Sequence, residues 1–214
     1  MPTVLTEDQT TALVNGCKKE GVTVHAAICA AWLPAFSLEF KTSSTRRLVS
    51  SPVNLRDRLP LKIDETSGVF LVTVTIGTDA SPNVNFWETA REFKDNFLSS
   101  LIEDNYFFDM LLYDKVFSDF TTEADMLSNN KPKYDFSITN LGHLLFGERY
   151  GSLSVDTLYG PLVNTSEYER TVGVSTIKGK LTMTFLLRRS NMSDEQAKAL
   201  QSRALALLGE AVGW

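Results

Sequence analysis

Apolar positions recur at helical spacing toward both ends of the chain and at strand spacing between them. Near the start, Leu13 and Cys17 share a helical face, Thr6 and Gln9 form a capping box, and Gly21 supplies a stop. Thr23 is placed to cap a second helix, with Val24, Ala27, Ile28, Ala31 and Ala35 at helical spacing. That helix is apolar almost all round, which puts it deep in a core, and Pro34 is expected to bend it or end it early. Residues 47–54 and 69–76 read as strands, joined by a loop carrying Arg56, Arg58, Pro60 and Lys62. Phe86, Ala90, Phe93, Phe97 and Leu101 then mark one stripe of a third helix. Residues 103–125 set seven acids and six aromatics against one lysine, a pattern for one or two short amphipathic helices with a solvated acidic face. Four further strands are predicted at 134–141, 150–158, 170–177 and 180–187, with Lys178-Gly179 as a hairpin turn between the last two. Ser193 and Gln196 form a second capping box, opening a closing helix with Ala197, Leu200, Ala204, Leu207 and Ala211 on one face. The order predicts a single domain over 1–214 built as a mixed sheet layered with helices.

Composition narrows the class. The 214 residues include 21 basic and 26 acidic ones, a net charge of −5, which argues against non-specific binding to nucleic acid or anionic lipid. Residues 21–38 carry no formal charge, but His25 and Pro34 within them favour a buried core helix over a membrane span. Cys17 and Cys29 are read as two reduced thiols, and with His25 and His143 they are too few for a metal cage. No basic and apolar leader precedes the first helix, so a cytoplasmic protein is expected. Phosphate loops, dinucleotide-binding glycine motifs, the Gly-x-Ser-x-Gly elbow and His-Glu-x-x-His are absent from the sequence, which disfavours the enzyme classes that depend on them.

Four strings, in order along the chain, carry a resemblance. They are Leu5 to Cys17 followed by Gly21-Val22-Thr23-Val24-His25-Ala26-Ala27-Ile28; Ser51-Pro52-Val53-Asn54-Leu55-Arg56 with Gly68-Val69-Phe70; Asp135-Phe136-Ser137-Ile138-Thr139-Asn140-Leu141-Gly142; and Val172 to Thr176 with Gly179-Lys180-Leu181. Together they resemble the C-terminal lobe of acyltransferases of the chloramphenicol acetyltransferase-like superfamily, in the branch of alcohol O-acetyltransferases, polyketide-associated acyltransferases and condensation domains. The second string is similar to that branch's PVNLR segment. The third is similar to its SNLG strand, with Thr139 where Ser is usual. The resemblance implies an α/β two-layer sandwich with a mixed, largely antiparallel sheet and helices on one face. It also implies a lobe that walls a tunnel for acyl-CoA and an alcohol acceptor, with acyl-CoA as a co-substrate and no tightly bound cofactor.

One departure limits what can be carried over. The family's base lies in a His-His-x-x-x-Asp-Gly motif, and neither His25 nor His143 has that context. The base is therefore expected from a complementary N-terminal lobe, and the chain by itself is expected to be inactive in acyl transfer. A second class of reading keeps the fold and drops the chemistry: a stand-alone pseudoenzyme or a repurposed small-molecule-binding protein or cyclase, paired with a second copy of itself. His25 and His143 are candidate bases, each weighed against a purely structural role. Asn140, Ser137 and Thr176 are candidate tunnel residues, against ordinary places on a strand. Arg56 either binds a CoA phosphate or locks its own loop.

Overall fold

The computed structural model describes residues 1–40, 46–59, 62–63, 66–81, 84–101, 134–145, 150–161, 170–187 and 192–214. The amphipathic helices expected within 103–125 lie outside the described residues. Within them, the order is β1 (Pro2–Val4), α1 (Glu7–Lys19), α2 (Val24–Phe40), β2 (Arg46–Asn54), a 3-10 turn (Arg56–Arg58), β3 (Leu71–Asp79), α3 (Phe86–Ser100), β4 (Phe136–His143), β5 (Arg170–Ile177), β6 (Lys180–Leu187) and α4 (Asp194–Val212). The six strands form one sheet in the order β1-β6-β5-β4-β2-β3. The β2–β4 and β4–β5 pairs are parallel and the other three antiparallel, so the fold is the mixed, layered α/β sandwich expected.

Each helix starts where its side chains can satisfy the free N–H groups of its first turn. Thr6 and Ser193 both complete capping boxes, with Gln9 and Gln196 as their reciprocal partners. Asn85 caps α3 by accepting from Trp87 and Glu88, and Thr23 accepts the N–H of Ala26 at 3.1 Å. The core is centred on α2, where Ala26 to Leu33, Ala35 and Phe36 are all buried. Phe36 stacks on Phe136 of β4 at 4.2 Å, and Trp32 meets Phe185 of β6 at 5.0 Å. Each such fully buried aromatic contributes roughly 2–3 kcal/mol through apolar burial. Pro34 does not end the helix, which runs on to Phe40.

The two faces of the sheet differ, because side chains alternate along every strand. Toward the helices point Val49, Phe136, Ile138, Val172, Val174, Met183 and Phe185, paired in register across the sheet. The other face carries small polar residues, among them Ser50, Ser137, Thr171, Ser175 and Thr182, and these too are buried. Residues 150–161 were expected to supply a strand over 150–158. Instead they make only an isolated Tyr150–Leu153 bridge and pass over this second face. Leu158 accepts a hydrogen bond from Ser175 Oγ at 2.9 Å, and a Cβ on Gly173 would run into the carbonyl oxygen of Pro161. Alternation in the sequence reports a face that is covered, and a strap can cover it as well as a ladder.

Two smaller differences have simple causes. β1 was not expected, since three residues beginning with a proline leave no readable pattern, yet Pro2–Val4 pairs with β6 as an edge strand, where a missing N–H is tolerated. In α4 the buried stripe is Ala197, Leu200, Gln201, Ala204 and Leu208, whereas Leu207 and Ala211 are only half-buried. Gln201 earns its place by donating to Thr3 Oγ1 at 2.6 Å, which ties α4 to β1. Among the described residues no single helix is long and apolar enough to cross a membrane.

Candidate functional site

The site follows from a break in the sheet. Leu48 offers its carbonyl to Asp135 at the head of β4, so the alternation of β2 turns Ser50 and Pro52 the same way. Pro52 has no N–H to continue that ladder. β2 and β4 accordingly pair only at Val49–Phe136 and Ser50–Ser137 and then separate. β4 bends further at an irregularity between Asn140 and His143, where Gly142 adopts φ 69°, a left-handed conformation that favours glycine. Asn140 fixes that turn by accepting the N–H of Gly142 on its Oδ1 at 2.8 Å. Between the separated strand ends and the helices lies a pocket of about 360 Å³.

Its lining is mostly carbon: Ala26 from α2, Pro52 and Val53 from β2, Phe93 and Phe97 from α3, and Leu141 from β4. Leu98 and Leu141, each 45% exposed, stand at the open side. Thr23, His25, Asn54, Lys94 and Asn140 supply the polar groups. Lys94 is already engaged, donating from Nζ to the carbonyl of Gly21 at 2.6 Å. Asn140 holds the turn with its oxygen, which leaves its amide N–H groups as donors beside the pocket.

His25 is the other polar wall. Its Nε2 is 3.0 Å from Ser51 Oγ and 3.8 Å from Cys29 Sγ. The ring lies against Phe93 and Phe97, with centroids at 5.7 and 5.6 Å, and its buried Nδ1 finds no partner among the described residues. Burial lowers its pKa to about 4, so the imidazole is neutral near pH 7. Cys29 is fully buried beside it, and burial pushes that thiol up. Ser51 was not singled out from the sequence. Its position in β2 opposite the first turn of α2 is a matter of tertiary packing.

The sequence-derived candidates do not gather at one place. Asn140 and His25 line the pocket. Ser137, three residues before Asn140 on β4, faces the opposite side of the sheet and donates to the carbonyl of Ser50 at 3.2 Å. Thr176 pairs with His143 and Leu181 within the sheet. His143 itself is exposed at the end of β4; neither residue is part of the pocket lining. Arg56 sits on the 3-10 turn, where it donates to the carbonyls of Thr66 and Gly68, both at 3.3 Å, and lies 4.7 Å over the Phe70 ring. Phe97, Leu98 and Lys94 on α3 were missed as site residues; the Phe86–Leu101 stripe that placed Phe97 reads as core.

Residues 2–186 match the family model described as "phthiocerol/phthiodiolone dimycocerosyl transferase C-terminus". No curated protein matches the chain. Among solved structures it is similar to a trichothecene 15-O-acetyltransferase from Fusarium sporotrichioides (13% identity, TM-score 0.76, 99% of this chain and 46% of that one). It is also similar to polyketide synthase associated protein 5 from Mycobacterium tuberculosis (14%, 0.67, 98% and 51%). A third is the epimerization domain from the third module of tyrocidine synthetase B (13%, 0.65, 99% and 47%). At these identities the likeness is one of fold, and the chain spans about half the length of the structures it matches.

Proposed function

The chain belongs to the phthiocerol/phthiodiolone dimycocerosyl transferase C-terminus family, and on that premise we propose that it is the second lobe of an O-acyltransferase whose base stands on a complementary lobe. The observation that carries the reading is a pocket with a hydrogen-bond donor, Asn140, and, among the described residues, no competent base of its own. A general base works best with a pKa near the operating pH. His25, lowered to about 4 and held by Ser51, is a poor proton acceptor, and His143 lies off the pocket. Support for a missing lobe comes from the half-length match to the solved structures and from the exposed leucines 98 and 141 at the open side.

In this reaction the partner lobe's base takes the proton of an alcohol. The oxygen attacks the thioester carbonyl of acyl-CoA, and the CoA thiolate leaves. The Asn140 amide donates to the carbonyl oxygen as negative charge grows there. Arg56 holds the loop after β2 in place, while Ser137 and Thr176 support the sheet around the site. The test is acyl transfer by the chain combined with a lobe that carries the His motif. Asn140→Ala is expected to lower kcat by on the order of a hundredfold while the pair still assembles. Unchanged kcat would remove Asn140 from the reaction.

The alternative, a stand-alone ligand-binding pseudoenzyme, is favoured by one observation: the pocket is built within this lobe, so it needs no partner to exist.

A further inference from the structure

The two edges of the sheet are built differently. β1, at one end of the strand order, is three residues long and carries Pro2, and both features discourage another strand from adding to it. β3, at the other end, is nine residues long, has no proline, and carries Asp79 as its one charged residue. In an antiparallel pair, alternate residues turn their N–H and C=O groups toward the neighbouring strand and the rest turn them away. The N–H of Leu55 bonds the carbonyl of Phe70. In this register Val72, Val74, Ile76 and Thr78 therefore face β2, while Leu71, Thr73, Thr75, Gly77 and Asp79 face outward. Leu48 agrees: it opposes Gly77 but gives its carbonyl to Asp135 on the other side. Helix α3 guards one half of the outward edge with a row of side chains four residues apart. Glu92 Oε1 accepts the N–H of Asp79 at 3.4 Å, and Asn96 Nδ2 donates to the carbonyl of Gly77 at 3.1 Å. Ser100, next in that row, donates to the carbonyl of Phe97 on its own helix instead. From Thr75 back to Leu71 the outward main chain has no partner among the described residues, and Leu71, Thr73 and Thr75 are exposed.

We infer that this stretch is a self-association edge, on which β3 of a second copy of the chain pairs antiparallel about a twofold axis at Thr73. The free stretch is its own complement. Its outward residues are centred on Thr73, so Thr73 meets Thr73 of the second copy and Leu71 meets Thr75, each pair exchanging both main-chain bonds. One patch used identically by both chains is what an isologous dimer requires. Threonines facing each other across strands are a favourable pair. No like charges meet, because Asp79 falls opposite Ser67 of the second copy. A charged peptide would find no ionic partner on this stretch, whereas an uncharged, β-branched strand matches it, and β3 is such a strand. The inference goes beyond the acyltransferase reading and does not depend on it. A strand edge is a small contact, so the dimer belongs to the weak class that buries less than about 1,200 Å².

The test is sedimentation velocity on the full chain over a concentration series, beside Thr73→Pro and Thr73→Lys. Thr73 opposes Pro52 and turns its N–H outward, so a proline there costs the β2–β3 ladder no bond and removes the central bond from each copy. Lysine sets like charges face to face across the axis, and its exposed position keeps the fold should the proline disturb the strand. The wild type is expected to shift from monomer toward dimer as concentration rises. Each variant should raise the dissociation constant at least about tenfold while its urea midpoint stays with the wild type's. Cross-linking checks the register. Thr73→Cys brings two cysteines to a Cα separation of about 5.5 Å, within reach of a disulfide, whereas Val69→Cys falls opposite Gly77 of the second copy and should not cross-link. The native Cys17 and Cys29 are buried, and burial pushes both thiols up, so they do not compete. A chain that stays monomeric throughout, or a dimer that neither Thr73 variant weakens, overturns the inference. So does cross-linking through Val69→Cys but not through Thr73→Cys.

Discussion

The buried imidazole makes stability depend on pH in a defined window. In the unfolded chain His25 takes a proton near pH 6.5, and in the folded protein only near pH 4. Between those values the unfolded state holds more protons, so stability falls as the pH drops and is full above the unfolded value. From the two pKa values, lowering the pH to about 5 costs roughly 2 kcal/mol, and the complete loss approaches ~3 kcal/mol. Charged neighbours do not offset this, since Cys29 stays a neutral thiol and Lys94 is itself a cation. Carboxylates elsewhere titrate in the same range, so the measurement is a difference. Urea unfolding of the wild type and of His25→Gln is followed between about pH 5 and pH 8, with the same slope required at each pH. Gln keeps a hydrogen-bonding partner for Ser51 and cannot titrate. The wild type should lose about 2 kcal/mol more than the variant on going to the lower pH. Parallel curves for the two proteins would show that the ring is not desolvated in the folded state and would refute the reasoning.

Two further substitutions probe the parts of the fold that hold the site. Asp135 bonds Arg47 at 3.2 Å and the N–H of Leu48 at 2.8 Å, at the point where β4 joins β2. The Arg47 side chain is only 5% exposed, so Asp135→Ala should cost about 2–3 kcal/mol in chemical denaturation, somewhat below a fully buried pair because the aspartate is a third exposed. An effect under about 0.5 kcal/mol would mean the pair is a surface one in practice. Gly173→Ala places a methyl group against the Pro161 carbonyl and should lift the 150–161 strap off the sheet, at a cost of about 1–3 kcal/mol. Limited proteolysis then cuts within 150–161 faster than in the wild type; an unchanged digestion pattern contradicts the strap.

Local chemistry was legible where it is written in a few adjacent residues. Both capping boxes form as their spacing requires, and the uncharged run after Gly21 becomes the central helix. The 178–179 turn joins β5 and β6, with Lys178 at φ 47° and Gly179 at φ 76°. What fails is what depends on distant partners. The alternation of residues 150–158 said that one side was covered, not that a strand would pair with it. Three residues of β1 become a strand only because β6 leaves an edge free.

For the site, one misgrouping was avoidable from the sequence. Ser137 and Asn140 are an odd number of residues apart on one strand, so a regular strand places them on opposite faces, and the structure does so. The pocket itself was not readable. It needs Pro52 to end the β2–β4 ladder and α3 to supply Phe97 and Leu98 across the gap. The proline was visible in the sequence, but the strand lying beside it was not.

The central claim, that this lobe contributes a pocket and a donor but no base, is tested most directly by following acyl-CoA consumption and ester formation with the purified chain. The account predicts no turnover by the chain alone and turnover once a lobe bearing the His motif is added. Transfer by the isolated chain that disappears in His25→Ala or His143→Ala would contradict it, because the base would then lie in this lobe.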